Sequence, residues 1–88
     1  MKTPRQLERY CKGVANHRRI AILELVAKEK DLSVEDIAQM LQGNIKTISQ
    51  HIKVLLNAGL INKRYQGRNV VHSLSPYGER FIKFLKTF

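Results

Sequence analysis

Lys46, Gln50 and Lys53 recur at spacings of four and three residues, with Thr47 beside them, inside a stretch from Ile37 to Gly78 that contains no Asp or Glu. At about 100° per residue these side chains fall on one face of a helix. Ile48, Ile52 and Leu55, spaced i, i+4 and i+7, fall on the other. The outer face therefore offers cations and hydrogen-bonding groups and no carboxylate. Lys63, Arg64 and Arg68 extend the same acid-free stretch. Purely positive surface is attracted to polyanions, and a phosphate backbone rewards it through counterion release. The other reading of such a stretch is a solvated, solubilising face. Val54 also projects outward on this helix, for no reason visible in the sequence.

Other chemistries lack their residues. Cys11 is the single cysteine, which excludes an internal disulfide and a cysteine zinc cluster. A lone cysteine is most often a small buried hydrophobe. His17 and His72 have no Cys or carboxylate at ligand spacing, so structural roles are expected of both. No phosphate-binding glycine loop and no nucleophile with its base is present at recognisable spacing, so no enzyme and no cofactor are expected. The opening MKTPRQLERY lacks a signal peptide's apolar segment, and no run approaches the ~20 apolar residues of a membrane span; a cytoplasmic location without a membrane is expected.

The elements that must position the basic face can be read from their ends. The chain has 88 residues and a net charge of +9, from 16 Lys and Arg against 7 Asp and Glu, and one domain covering 1–88 is expected. Asn16 can cap a central helix that runs to about Lys28 with Ile20, Ile22, Leu23, Leu25 and Val26 as its apolar residues. Ser33 followed by Asp36 resembles a capping box opening a shorter helix, whose inner face is Val34, Ile37, Ala38 and Leu41. Gln42, Gly43 and Asn44 predict a tight turn in which the glycine takes positive φ and the asparagine caps the next helix, 45–57. Gly59 stops that helix. Leu60 to Tyr65 and Asn69 to Leu74 predict a hairpin with Gln66, Gly67 and Arg68 at its tip. Ser75 and Pro76 open a last helix, where Tyr77, Phe81, Phe84, Leu85 and Phe88 make an apolar surface too broad for one small core.

Two tightly joined helices followed by a third helix, a hairpin and a closing helix give the order of a winged helix. The residues also resemble a family. NHRRIAIL, from Asn16 to Leu23, is similar to the approach to the second helix in ArsR/SmtB-type transcription regulators, with Arg19 at the position of the usual arginine. TISQHIKVLLNAGLI, from Thr47 to Ile61, is similar to that family's recognition helix and its step into the wing; Ser49, His51, Leu55, Gly59 and Leu60 agree in register. LSPYGERFIKFL, from Leu74 to Leu85, is similar instead to the junction of MarR-type and PadR-type winged helices.

The resemblance implies a mainly α winged helix-turn-helix of about five helices with a two-stranded wing, binding double-stranded DNA as a dimeric repressor. In that frame helix 45–57 enters the major groove, with Lys46, Thr47 and Gln50 as base readers. Asn44, Ser49, Lys53 and Arg19 would hold phosphates, His51 would contact DNA, and Lys63, Arg64 and Arg68 in the wing, 63–69, would track the backbone or minor groove. Capping and packing are the other reading of Asn44 and Ser49. Leu7, Tyr10, Cys11, Phe81, Phe84, Leu85 and Phe88 are the expected homodimer interface, unless some of them complete the monomer core. Family metal sensors use a cysteine motif before the turn or His and carboxylate ligands in the last helix; this chain has LSVEDI, 32–37, and only Glu79 at those places, so no metal effector is expected. A winged helix that binds another protein without specific DNA contact is the alternative function.

Overall fold

The computed structural model describes all 88 residues, Met1–Phe88, in the order α1 (Pro4–Val14), α2 (His17–Lys28), α3 (Val34–Met40), α4 (Ile45–Asn57), β1 (Ile61–Gln66), β2 (Asn69–Leu74) and α5 (Pro76–Leu85). Each helix starts on a side chain that accepts from its own first-turn amides, which would otherwise lack partners. Thr3 and Ser33 do so in capping boxes with Gln6 and Asp36. Asn16 accepts from the amides of Arg18 and Arg19, Asn44 from those of Lys46 and Thr47, and Ser75 from that of Gly78. No helix is long and apolar enough to cross a membrane.

The core lies where α2 and α4 meet under the hairpin. Ile22, Leu23, Ile37, Ile48, Leu55, Leu60 and Ile61 are fully enclosed. Val34 and Leu41 lie partly buried against them, as expected for the inner side of α3. The two strands pair antiparallel from Ile61↔Leu74 to Gln66↔Asn69, leaving Gly67 and Arg68 as a two-residue tip with Gly67 at φ 63. Positive φ at the first tip position is what a tight hairpin connection of the II′ kind requires of glycine.

Three expectations need correction. Gln66 is not part of the tip but the last residue of β1, paired with Asn69, because a two-residue connection suffices to turn the chain. The positive φ in the turn before α4 belongs to Gln42, at 52°, and not to Gly43. The Gln42 amide donates to Gln39 O at 3.2 Å and the Gly43 amide to Ala38 O at 2.9 Å. That is a Schellman ending of α3 with Gln42 in the left-handed slot usually held by glycine. Gly43 serves closeness instead, because a Cβ there would stand 2.9 Å from Ile48 Cγ1. The first strand begins at Ile61, one residue later than its composition suggests. Leu60 is spent on closing α4, its amide donating to Leu55 O at 3.0 Å beside Gly59 at φ 76.

Candidate nucleic-acid interface

The outward face of α4 carries Lys46, Thr47, Ser49, Gln50 and Lys53, all exposed. Asn44 is exposed at its start, with Oδ1 occupied by the amides of Lys46 and Thr47 at 2.9 and 3.2 Å. Its side-chain NH2 points no hydrogen bond into the protein, so capping and outward contact are compatible in one residue. The molecule contains two ion pairs, Lys12–Glu8 and Arg64–Asp31. Lys46, Lys53, Lys63 and Arg68 therefore meet no carboxylate, and the face stays positive. Ile45, half exposed at the first turn of α4, and Tyr65, exposed in β1, share this side of the sequence and were not singled out by charge or polarity. Both were findable as large apolar residues at positions where the periodicity asks for none. Val54 flanks α1 rather than the outer face: with Arg9, Lys12, Gly13, Asn57 and Ala58 it lines a shallow depression between α1 and α4.

Three residues expected to face outward are engaged with the protein. Arg19 is only partly exposed; its Nη1 lies 3.3 Å from His51 Nδ1 and its Nη2 donates to Lys12 O at 3.4 Å. The Arg19 side chain thus ties α2 to α4 and α1, with Nε buried and unpartnered. His51 is half-buried beside it, and its pKa is lowered from 6.5, first by burial and then by the charges of Arg19, Arg18 and His17. Arg64 donates to Asp31 Oδ1 at 2.6 Å. Strand alternation makes Lys63 and Arg64 leave the ribbon on opposite faces.

The wing's root is fixed by His72, which is buried and structural, as its lack of ligand partners suggests. Its backbone amide and its Nδ1 both meet Leu32 O at 2.9 Å. A carbonyl only accepts, so Nδ1 carries the ring proton. Outward from there residues 63–69 are all exposed.

On the opposite side, α1 and α5 enclose an apolar groove of about 350 Å³ lined by Leu7, Tyr10, Cys11, Tyr77 and Phe81 together with Met1, Lys2 and Arg80. Tyr10, Phe81 and Leu85 are half-buried against the core, whereas Leu7, Cys11, Phe84 and Phe88 are exposed. Of the seven expected interface residues, three thus pack partly against the core of the single chain and four are exposed on it. Cys11 is an exposed free thiol and not the small buried hydrophobe a lone cysteine usually is. The Lys2 ammonium lies 5.2 and 4.8 Å from the Tyr10 and Tyr77 ring centroids, and interaction with Tyr77 and then Tyr10 raises its pKa.

The family model described as bacterial regulatory protein, arsR family, matches residues 16–63, more than half of the chain. A cadmium resistance transcriptional regulatory protein CadC homolog from Staphylococcus aureus is 27% identical over 73 residues, 83% of this chain and 60% of its own. The transcriptional activator HlyU of Vibrio cholerae is 34% identical over 64 residues, 73% of this chain and 58% of its own. The chain thus spans less than two thirds of the length of these relatives. The solution structure of the homodimeric winged helix-turn-helix DNA-binding domain Mb0332 from Mycobacterium bovis superposes with a TM-score of 0.84 at 26% identity, covering 99% of this chain and 86% of that one.

Proposed function

Because the chain belongs to the arsR family of bacterial regulatory proteins and has its winged helix-turn-helix fold, we propose that it regulates transcription as a dimeric repressor that binds a specific double-stranded DNA sequence. The observation that carries this reading is the continuous exposed face of α4 and the wing, in which Lys46, Lys53, Lys63 and Arg68 have no acidic partner. Helix α4 enters the major groove, where a double-stranded target presents distinct donors and acceptors for each base pair. Gln50 pairs with adenine, Lys46 meets guanine acceptors, and the Thr47 methyl touches thymine. Asn44, Ser49 and Lys53 fix register on phosphates, and Lys63 and Arg68 follow the backbone or minor groove beyond them.

Arg19 acts through His51 and the Lys12 carbonyl by holding α4 against α1 and α2, a positioning role in place of an outward phosphate contact. The dimer forms through α1 and α5. Exposed Leu7, Phe84 and Phe88 make an apolar patch there that a second copy would cover, and a neighbour of the same fold is homodimeric. Two-fold pairing sets the recognition helices about 34 to 36 Å apart, one turn of B-form DNA, and calls for a pseudo-palindromic operator. Occlusion of the promoter by the bound dimer then represses. Metal has no part in this reading, since α3 carries no cysteine and α5 only Glu79 as a ligand.

Fluorescence anisotropy on the protein's own upstream duplex and on a scrambled duplex, across a salt series, tests the proposal with Gln50→Ala alongside. A preference for the native duplex that survives at about 150 mM salt and disappears in the variant supports sequence reading by α4. Equal, salt-sensitive binding of both duplexes sinks it, and no binding at all turns attention to a protein partner.

A further inference from the structure

The amino end of α2 gathers more positive charge than α4 and the wing account for. His17, Arg18 and Arg19 open the helix, and His51 faces them from the flank of α4. None of the four takes part in an ion pair. Arg18 reaches across to the turn before α4, where a Cβ on Gly43 would stand 3.3 Å from its Nη1. It is exposed there, at the same end of α4 as Asn44 and Thr47.

The state of His51 follows from its neighbour. A guanidinium donates and never accepts, so His51 Nδ1 is the acceptor of the 3.3 Å contact with Arg19 Nη1 and the proton of the neutral ring sits on Nε2. That N–H has no hydrogen-bond partner in the protein. Burial and the surrounding cations keep the ring neutral. Arg18 and Arg19 are adjacent cations, neither of them paired to a carboxylate, and an anion placed beside them relieves their repulsion.

We infer that Arg18 and His51 form a seat for one DNA backbone phosphate between the first turn of α2 and the flank of α4, with Arg19 as the residue that orients His51. Arg18 contributes charge and His51 contributes a neutral, directed N–H. The seat rests on the DNA-binding reading and widens it, because one of its two contacts comes from outside both the recognition helix and the wing.

The two roles predict different signatures in anisotropy titrations of the full chain across a salt series. Arg18→Gln weakens duplex binding about tenfold and lowers the salt slope by about 0.9. Sequence preference is untouched, as for any phosphate contact. His51→Ala weakens binding several-fold with an unchanged slope, because a neutral donor releases no counterion. His51→Gln restores affinity, since its amide can accept from Arg19 and still donate outward. Lys83→Gln on α5, a remote cation, leaves both quantities at wild-type values. Thermal unfolding of each variant establishes that it is folded, and should His51→Ala unfold, the Arg18→Gln slope decides. Wild-type affinity and slope in Arg18→Gln, or an equal loss of slope in Lys83→Gln, overturns the seat while the regulator reading stands. Failure of the wild type to bind any duplex overturns both.

Discussion

Replacing Gly78 with alanine adds a single methyl group at a place with no room for it. An ideal Cβ there lies 2.0 Å from Leu60 O and 3.1 Å from Leu60 C, so the obstacle is backbone and not a side chain that can rotate away. Restoring ordinary contact moves the start of α5 by more than 1 Å from the α4–β1 junction, with ordinary carbon–oxygen separation being about 3.3 Å. The bonds that cross this junction are Ser75 N to Leu60 O at 3.1 Å and Ser75 Oγ to Gly59 O at 2.6 Å, with Gly78 N to Ser75 Oγ at 3.0 Å beside them. Overpacking costs about 1 to 3 kcal/mol, and here the upper end applies. One strained hydrogen bond adds about 1 kcal/mol, while the better helix propensity of alanine returns a similar amount. The net loss of roughly 3 kcal/mol lowers Tm by about 12 to 24 °C in a domain of this size. Thermal denaturation followed by circular dichroism at fixed protein concentration measures it, with Gly67→Ala as comparison. At Gly67 nothing lies within 4 Å of the added Cβ and only the positive φ is strained, a cost of about 1 kcal/mol. A Gly78→Ala Tm within a few degrees of wild type, or below it by no more than Gly67→Ala, refutes the argument from close approach.

His51 gives the fold a pH dependence. Its value in the folded protein is below 6.5, held down by burial and then by Arg19, Arg18 and His17 of α2; from α1 it is Arg19's partner, the Lys12 carbonyl, that packs nearby, with the Lys12 side chain paired to Glu8. The unfolded chain binds this proton more readily, so the contribution is complete above 6.5 and is lost as pH falls through the lowered folded value. A Tm series on the acid side of neutrality should show that fall and His51→Gln should flatten it; parallel curves for the two proteins remove His51 as the cause. Asp31→Asn removes an exposed ion pair and should alter stability by less than about 1 kcal/mol, while freeing Arg64 and tightening duplex binding; unchanged affinity in anisotropy shows that Arg64 is out of reach of DNA even when released. Phe84→Asp places a charge on a side chain that is 56% exposed, so it should leave the monomer folded and shift sedimentation from dimer to monomer. A dimer that persists puts the interface elsewhere.

The parts of this molecule that were legible in its sequence are those specified over a few residues. Asn16, Ser33, Asn44 and Ser75 mark helix starts because a capping oxygen needs only amides two or three positions on, and each stands where the structure has a cap. The outer face of α4 follows from the spacing of Ile48, Ile52 and Leu55 alone. What stayed hidden depends on distant pairs. Arg19 and His51 are 32 residues apart and Arg64 and Asp31 are 33 apart, and a cation with no acid among its local neighbours gives no sign that the fold will turn it inward. Gly43 and Gly78 were equally opaque in purpose: Gly43 owes its place to Ile48 and Gly78 to the Leu60 carbonyl, and neither needs the backbone angle that glycine usually signals. Cys11 is exposed because α1 lies at the edge of the core and buries only Gly13 and Val14.

The pinning of His72 to Leu32, with Arg64 braced on Asp31, gives the hairpin the mechanics of a cantilever. The beam is clamped near its base and unloaded at its end, and from His72 to Arg68 it overhangs by roughly 13 Å, four residues at about 3.3 Å each. Bending of such a beam grows toward its free end, so any displacement of the wing is expected to be largest at Arg68 and smallest at His72. In the proposed complex the tip would thereby follow a groove that narrows or widens from one sequence to the next, with the Leu32 carbonyl taking up part of the load at the wing's root.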